Sequence, residues 1–116
     1  MKHLEESMPN LELKDHVAII TGAGRMRGIG RASANVLAKM GANIVVTGTG
    51  RNPKTYPEDE QIAGWKDIES TAKEIQNSGH SALPIVVDVT NPDSVNNMIN
   101  KTMEAFGRID ILVNNA

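Results

Sequence analysis

A run of four apolar residues passes directly into a glycine-rich turn, and no other feature constrains the fold of this chain as strongly. Val17-Ala18-Ile19-Ile20 is followed by Thr21-Gly22-Ala23-Gly24-Arg25-Met26-Arg27-Gly28-Ile29-Gly30-Arg31. Glycines alone say little. A cluster that leaves a strand and opens a helix is far more restrictive. Gly22 permits a tight turn out of the strand, and Gly28 or Gly30 lets the backbone come close to a pyrophosphate. The N–H groups at the helix start then face such an anion with a favourable dipole. The competing explanation is that the glycines serve only close helix–strand packing.

The rest of the chain repeats the same alternation. Ile44-Val45-Val46, Leu83 to Val89 and Ile109 to Val113 read as further strands, and continuous apolar runs suit a parallel sheet covered on both faces. A first helix is expected from near Gly28 to Met40, with Ile29, Ala32, Val36, Leu37 and Met40 inward and Gly41 as its stop. A second runs from about Trp65 to Asn77, with Ile68, Ala72 and Ile75 inward. The third starts most clearly, with Asn91 as N-cap, Pro92 at the first position and Asp93 near the positive end of the dipole. Its stripe is Val95, Met98, Ile99, Thr102, Met103 and Phe106, ended by Gly107. The order β-α-β-α-β-α-β predicts a doubly wound α/β fold with a parallel sheet. Right-handed crossovers put the first two helices on one face, and a third helix crossing back gives strand order 3-2-1-4. Thr49 to Gly64, with Pro53, Pro57 and Glu58-Asp59-Glu60, reads as a solvated surface connection rather than a lid.

The chain of 116 residues allows one domain, here residues 11–116 behind a flexible leader, 1–10. A net charge of -2 argues against general nucleic-acid binding, which needs clustered Lys and Arg. With no cysteine there is no disulfide, thiolate metal site or Cys nucleophile. The first ten residues carry acids and no apolar segment, unlike a signal peptide, and no run approaches the ~20 apolar residues of a membrane span. A cytoplasmic protein is expected. His3, His16 and His80 have no metal-ligand spacing, so no metal is expected either.

At the glycine turn the sequence resembles the short-chain dehydrogenases/reductases. Their turn reads Thr-Gly, three residues, Gly-Ile-Gly; Thr21-Gly22 and Gly28-Ile29-Gly30 match its two ends. Asp88-Val89 falls where the family closes strand three with an Asp near the adenine. Asn114-Asn115-Ala116 matches the Asn-Asn-Ala-Gly motif that borders the cofactor. The resemblance covers nearly the whole chain from about Leu11. It departs in one respect: Ala23 to Arg27 are five residues where three are usual, so the amides that touch the pyrophosphate are not legible.

What the resemblance implies is a Rossmann-like NADP(H)-dependent oxidoreductase acting on a carbonyl compound or secondary alcohol, and a homo-oligomer, dimer or tetramer. The implied cofactor-binding residues are Gly22, Arg27, Gly28, Ile29, Gly30, Arg51, Asp88, Val89, Asn114 and Ala116. NADP(H) is preferred to NAD(H) because Val46-Thr47-Gly48-Thr49-Gly50-Arg51 has no acid to bind the ribose hydroxyls. Arg27 and Arg51 are expected to converge on a 2′-phosphate, which the planar guanidinium fork suits. Asp88 has an equal alternative as a cap of the following loop. The family's Tyr-x-x-x-Lys pair is missing, because the one tyrosine, Tyr56, is followed four residues later by Glu60. No catalytic residue is expected within these residues. A last strand apolar on both faces would be left at a sheet edge, a pairing hazard. The expectation is therefore that the parent protein continues past Ala116, or else that the chain is a cofactor-binding module without catalysis.

Overall fold

The structure, a computed structural model, describes residues 12–115. The expected leader over residues 1–10 and the site residue Ala116 lie outside the described residues. Four parallel strands, β1 (Val17–Ile20), β2 (Asn43–Gly48), β3 (Ala82–Val86) and β4 (Ile111–Val113), form one sheet in the order β3-β2-β1-β4. Both neighbours of β1 run parallel to it, Ile19 standing opposite Val45 on one side and Leu112 on the other. This is the expected 3-2-1-4 order, with its topological switch between β1 and β4.

Strand side chains alternate between two cores, as the period of two requires. Ala18, Ile20, Ile44 and Val46 pack beneath α1 (Ile29–Lys39) and α3 (Ile68–Asn77), where Ala34, Ala38, Ala72 and Ile75 meet them. Ile19, Val45 and Ile85 face the other way, against Met98 of α4 (Pro92–Phe106), with Val95 and Phe106 at its margin. The first two long helices thus share one face and the last takes the other. Asn91 caps α4 as expected, its side chain accepting the N–H of Asp93 at 2.9 Å and of Ser94 at 3.4 Å.

Several boundaries and faces differ from expectation, each for a local reason. The buried stripe of α1 is Gly30, Ala34 and Ala38, whereas Ile29 and Val36 are 74% and 56% exposed. Close approach to the sheet selects the smallest side chains, although the bulky ones dominate the apolar pattern. On α4, Met98 and Thr102 are buried but Ile99 and Met103 are not, because no described element lies beside them. Helix α3 begins at Ile68 rather than near Trp65, since Asp67 holds a positive φ of 57° that breaks the helix. β4 is shorter than expected and not buried on both faces; Leu112 is 62% exposed, with β1 its sheet neighbour. β3 ends at Val86, so Asp88 and Val89 belong to the following loop instead of closing the strand.

The connection after β2 departs furthest. In place of a solvated loop it forms a 3₁₀ turn (Pro53–Thr55) and a short helix, α2 (Glu58–Ala63), and it folds back over the glycine turn. Glu60 on that helix is 2% exposed.

Candidate functional site

The glycine turn leaves the C-terminal end of β1 beside the switch point, where open α/β sheets place their ligand crevice. Gly22 takes a φ of 64° to make the turn. Gly30 is held by space: a Cβ there would stand 2.5 Å from the Gly22 carbonyl oxygen and 2.8 Å from the Ala23 Cα. The end of β4 is stitched to the same point. Asn115 donates its backbone N–H to Thr21 Oγ1 at 2.9 Å and its side-chain amide to the Gly22 carbonyl at 3.1 Å. Thr21 Oγ1 in turn lies 3.3 Å from Asn114 Oδ1.

Above this corner opens a cleft of about 420 Å³, with Gly22, Gly24, Arg25, Gly28 and Ile29 on one side and Thr47, Gly48 and Thr49 on another. Val87 and Val89 close it from the β3 end. Helix α1 starts at the cleft with Gly28 as an N-cap that contributes no side-chain hydrogen bond, and its first turn carries no acid. Its first amides and dipole are therefore uncompensated, which is the local chemistry an anion fits.

Of the expected residues, Gly22, Gly28, Ile29, Arg51 and Val89 line this cleft. Gly30 lies beneath it as a packing contact, and Asn114 lies beside it against Thr21. Asp88 is exposed; its carboxylate accepts the hydroxyl of Thr90 at 2.6 Å and the N–H of Thr90 at 2.9 Å, which hold its pKa below the ordinary value. Its backbone N–H is bound to Ser94 Oγ. That is the capping arrangement weighed for it from sequence. Arg27 stands outside the cleft, 82% exposed, with its Nε 2.6 Å from Asp59.

Arg51 does line the cleft, but its fork is occupied. Nε and Nη2 donate to Asp67 Oδ1 at 3.0 and 2.8 Å, and Nη2 also donates to Glu60 Oε1 at 2.8 Å. Burial works against the Arg51 charge, yet Asp67 and Glu60 outweigh it and carry its pKa above the usual value. The guanidinium also lies 4.7 Å over the Tyr56 ring. Burial and the Asp67 charge raise the pKa of that phenol.

Sequence reasoning missed Glu60, Trp65, Asp67 and Thr71. Glu60 Oε2 accepts the Met26 N–H at 3.1 Å, Trp65 Nε1 donates to the Gly24 carbonyl at 2.6 Å, and Thr71 Oγ1 donates to the Ala23 carbonyl at 2.8 Å. The Asp67 carboxylate occupies the space that a Cβ on Gly24 would need. Only the lengthened glycine loop hinted that something must brace it. Among the described residues no cluster of three potential metal ligands occurs, and no helix is long and apolar enough to cross a membrane.

A parallel sheet of order 3-2-1-4 with an uncapped, glycine-opened helix over a crevice at its switch point defines a Rossmann-like dinucleotide-binding architecture. A family model described as short chain dehydrogenase matches residues 16–116, and the chain belongs to that family of oxidoreductases, which generally bind NAD(P). Hydroxysteroid dehydrogenase-like protein 2 of Mus musculus is 44% identical over 110 residues, covering 94% of this chain and 21% of that protein. Short chain dehydrogenase/reductase astE of Aspergillus oryzae is 43% identical over 104 residues, or 90% of this chain and 34% of its own length. A crystal structure of a short chain dehydrogenase from Mycobacterium thermoresistibile superposes with a TM-score of 0.75 at 38% identity, covering 90% of this chain and 34% of that one. The chain thus spans between about a fifth and about a third of the length of these relatives.

Proposed function

We propose that these residues hold the cofactor of an NADP(H)-dependent oxidoreductase that moves hydride between nicotinamide and a carbonyl or secondary-alcohol carbon. The observation that carries this reading is the start of α1, without a side-chain cap, beside a turn whose Gly24 and Gly30 have no room for a side chain, opening on a cleft at the switch between β1 and β4. The bound dinucleotide supplies the hydride chemistry. The chain's own contribution is to hold the diphosphate against free backbone amides of the turn and the start of α1, on a wall lined by Gly22, Gly28 and Ile29. Val89 bounds the end of the cleft nearest β3. Asn114 and Asn115 tie β4 to the turn and keep the two walls in register. The absence of a carboxylate on β2 and the presence of Arg25 on the wall support a 2′-phosphate; Arg51 stands on the same wall with its Nε and Nη2 already held by Asp67 and Glu60. The family resemblance supports a homo-oligomer with a small-molecule substrate.

NAD(H) is a second reading, favoured by one specific observation. Asp67 stands on the same wall and already takes two donors of the Arg51 fork, so the corner carries two carboxylates for one half-buried guanidinium. Titration of the purified protein with NADPH and with NADH decides between them. Tighter NADPH binding that Arg51→Ala abolishes selectively supports the first reading, and a preference for NADH supports the second. No binding of either refutes the function.

A further inference from the structure

The extra residues of the glycine loop raise a question that a shorter loop does not: what keeps its carbonyls from facing the anion. Every described peptide bond is trans, so the N–H of each residue points opposite to the preceding carbonyl. Whatever captures a carbonyl therefore aims the next amide. Thr71, fully buried on α3, captures the Ala23 carbonyl at 2.8 Å and so aims the Gly24 N–H. Trp65, just ahead of α3, captures the Gly24 carbonyl at 2.6 Å and so aims the Arg25 N–H. Gly24 and Arg25 line the cleft, and neither Thr71 nor Trp65 does, so both carbonyls are drawn away from it. Among the described residues the N–H groups of Gly24 and Arg25 have no hydrogen-bond partner. Of the amides that follow, Met26 donates to Glu60 and Gly28 to the Arg25 carbonyl.

We infer that Trp65 and Thr71 are positioning residues for the phosphate site, turning the Gly24 and Arg25 amides toward a dinucleotide's diphosphate. The inference rests on the dinucleotide-binding reading above and specifies how the lengthened loop achieves it. Two side chains from beyond β2 thus supply the orientation of this lengthened turn. Arg31, 4.7 Å over the Trp65 ring, keeps the indole in place while donating to the Met26 carbonyl at 2.6 Å.

The test is calorimetric titration of the full protein with ADP and with NADP(H), for wild type, Thr71→Val, Thr71→Ser and Trp65→Phe. Thr71→Val keeps the volume and removes the hydroxyl, and Thr71→Ser does the reverse. Each lost carbonyl hydrogen bond is expected to raise both dissociation constants roughly fivefold. Thr71→Val and Trp65→Phe should therefore weaken ADP, while Thr71→Ser binds as wild type does. A role in packing alone predicts the opposite order of the two Thr71 variants, and that order overturns the inference. So does unchanged binding in both Thr71→Val and Trp65→Phe. Wild-type protein that binds neither ADP nor dinucleotide removes the functional reading itself, whereas binding that ignores these substitutions removes only the positioning role.

Discussion

Replacing Gly30 by Ala separates packing from helix propensity more cleanly than any other single change. Gly30 lies in the first turn of α1, where Ala is favoured over Gly by about 1 kcal/mol on propensity alone. The structure opposes that gain. The added methyl would meet the Gly22 carbonyl oxygen at 2.5 Å, the Ala23 Cα at 2.8 Å and the Asn115 side-chain nitrogen at 3.0 Å. Two of these atoms are backbone, and the third is fixed by its own bond to the Gly22 carbonyl. Relief requires the turn to retreat from the helix by roughly an ångström, and overpacking of this kind costs about 1–3 kcal/mol, here near the upper end because backbone must move. The net expectation is a loss of about 2 kcal/mol, read as a lower urea midpoint at unchanged slope. Movement of the turn should also weaken ADP binding, since the same carbonyl anchors the loop. If Gly30→Ala is as stable as wild type or more so, propensity has won, and the close contact described between α1 and the turn is wrong.

Three other expectations are independent of that one. Arg51→Met leaves Glu60 and Asp67 facing each other without a counter-charge while both are buried, and chemical denaturation should show a loss of about 3–5 kcal/mol; a change below about 1 kcal/mol would mean the carboxylates find water or protons at little cost. Asn91→Ala removes the cap of α4 and should lower stability by about 1 kcal/mol, whereas Asn91→Asp should restore it. Asp110 accepts from Arg108 and from the Val17 N–H, which hold its carboxyl below the usual range. Its stabilisation is present above the ordinary carboxylate pKa and is lost as pH falls through the lowered value, so Asp110→Asn should flatten the acid limb of a stability–pH curve; an unchanged limb contradicts this.

The parts of this fold that depend on local chemistry were legible in the sequence, and those that depend on partners distant along the chain were not. β1, the cap at Asn91 and the strand order follow from apolar runs, side chains that bond their own backbone, and the handedness of crossovers. The face of α1 misled because apolar periodicity weighs bulk, whereas the contact with the turn is decided by how little bulk can be tolerated; Gly30, Ala34 and Ala38 carry no hydrophobic signal commensurate with their burial. The segment after β2 misled for a related reason. Its prolines and acids have the composition of a solvated loop, yet Glu60 becomes one of the most buried charges by meeting Arg51 and the Met26 amide, partners 9 and 34 residues away. The absence of an acid on β2 leaves room for a 2′-phosphate as far as the sequence shows, but a carboxylate reaches the same corner from Asp67 ahead of α3. A lengthened glycine loop and an unusually long connection after β2 are thus two halves of one construction. The loop exposes backbone polar groups that its own geometry leaves unpaired, and the connection together with α3 brings Glu60, Trp65 and Thr71 to satisfy them. Shortening either half alone should therefore damage the site, while shortening both together should restore a tighter turn that needs no brace.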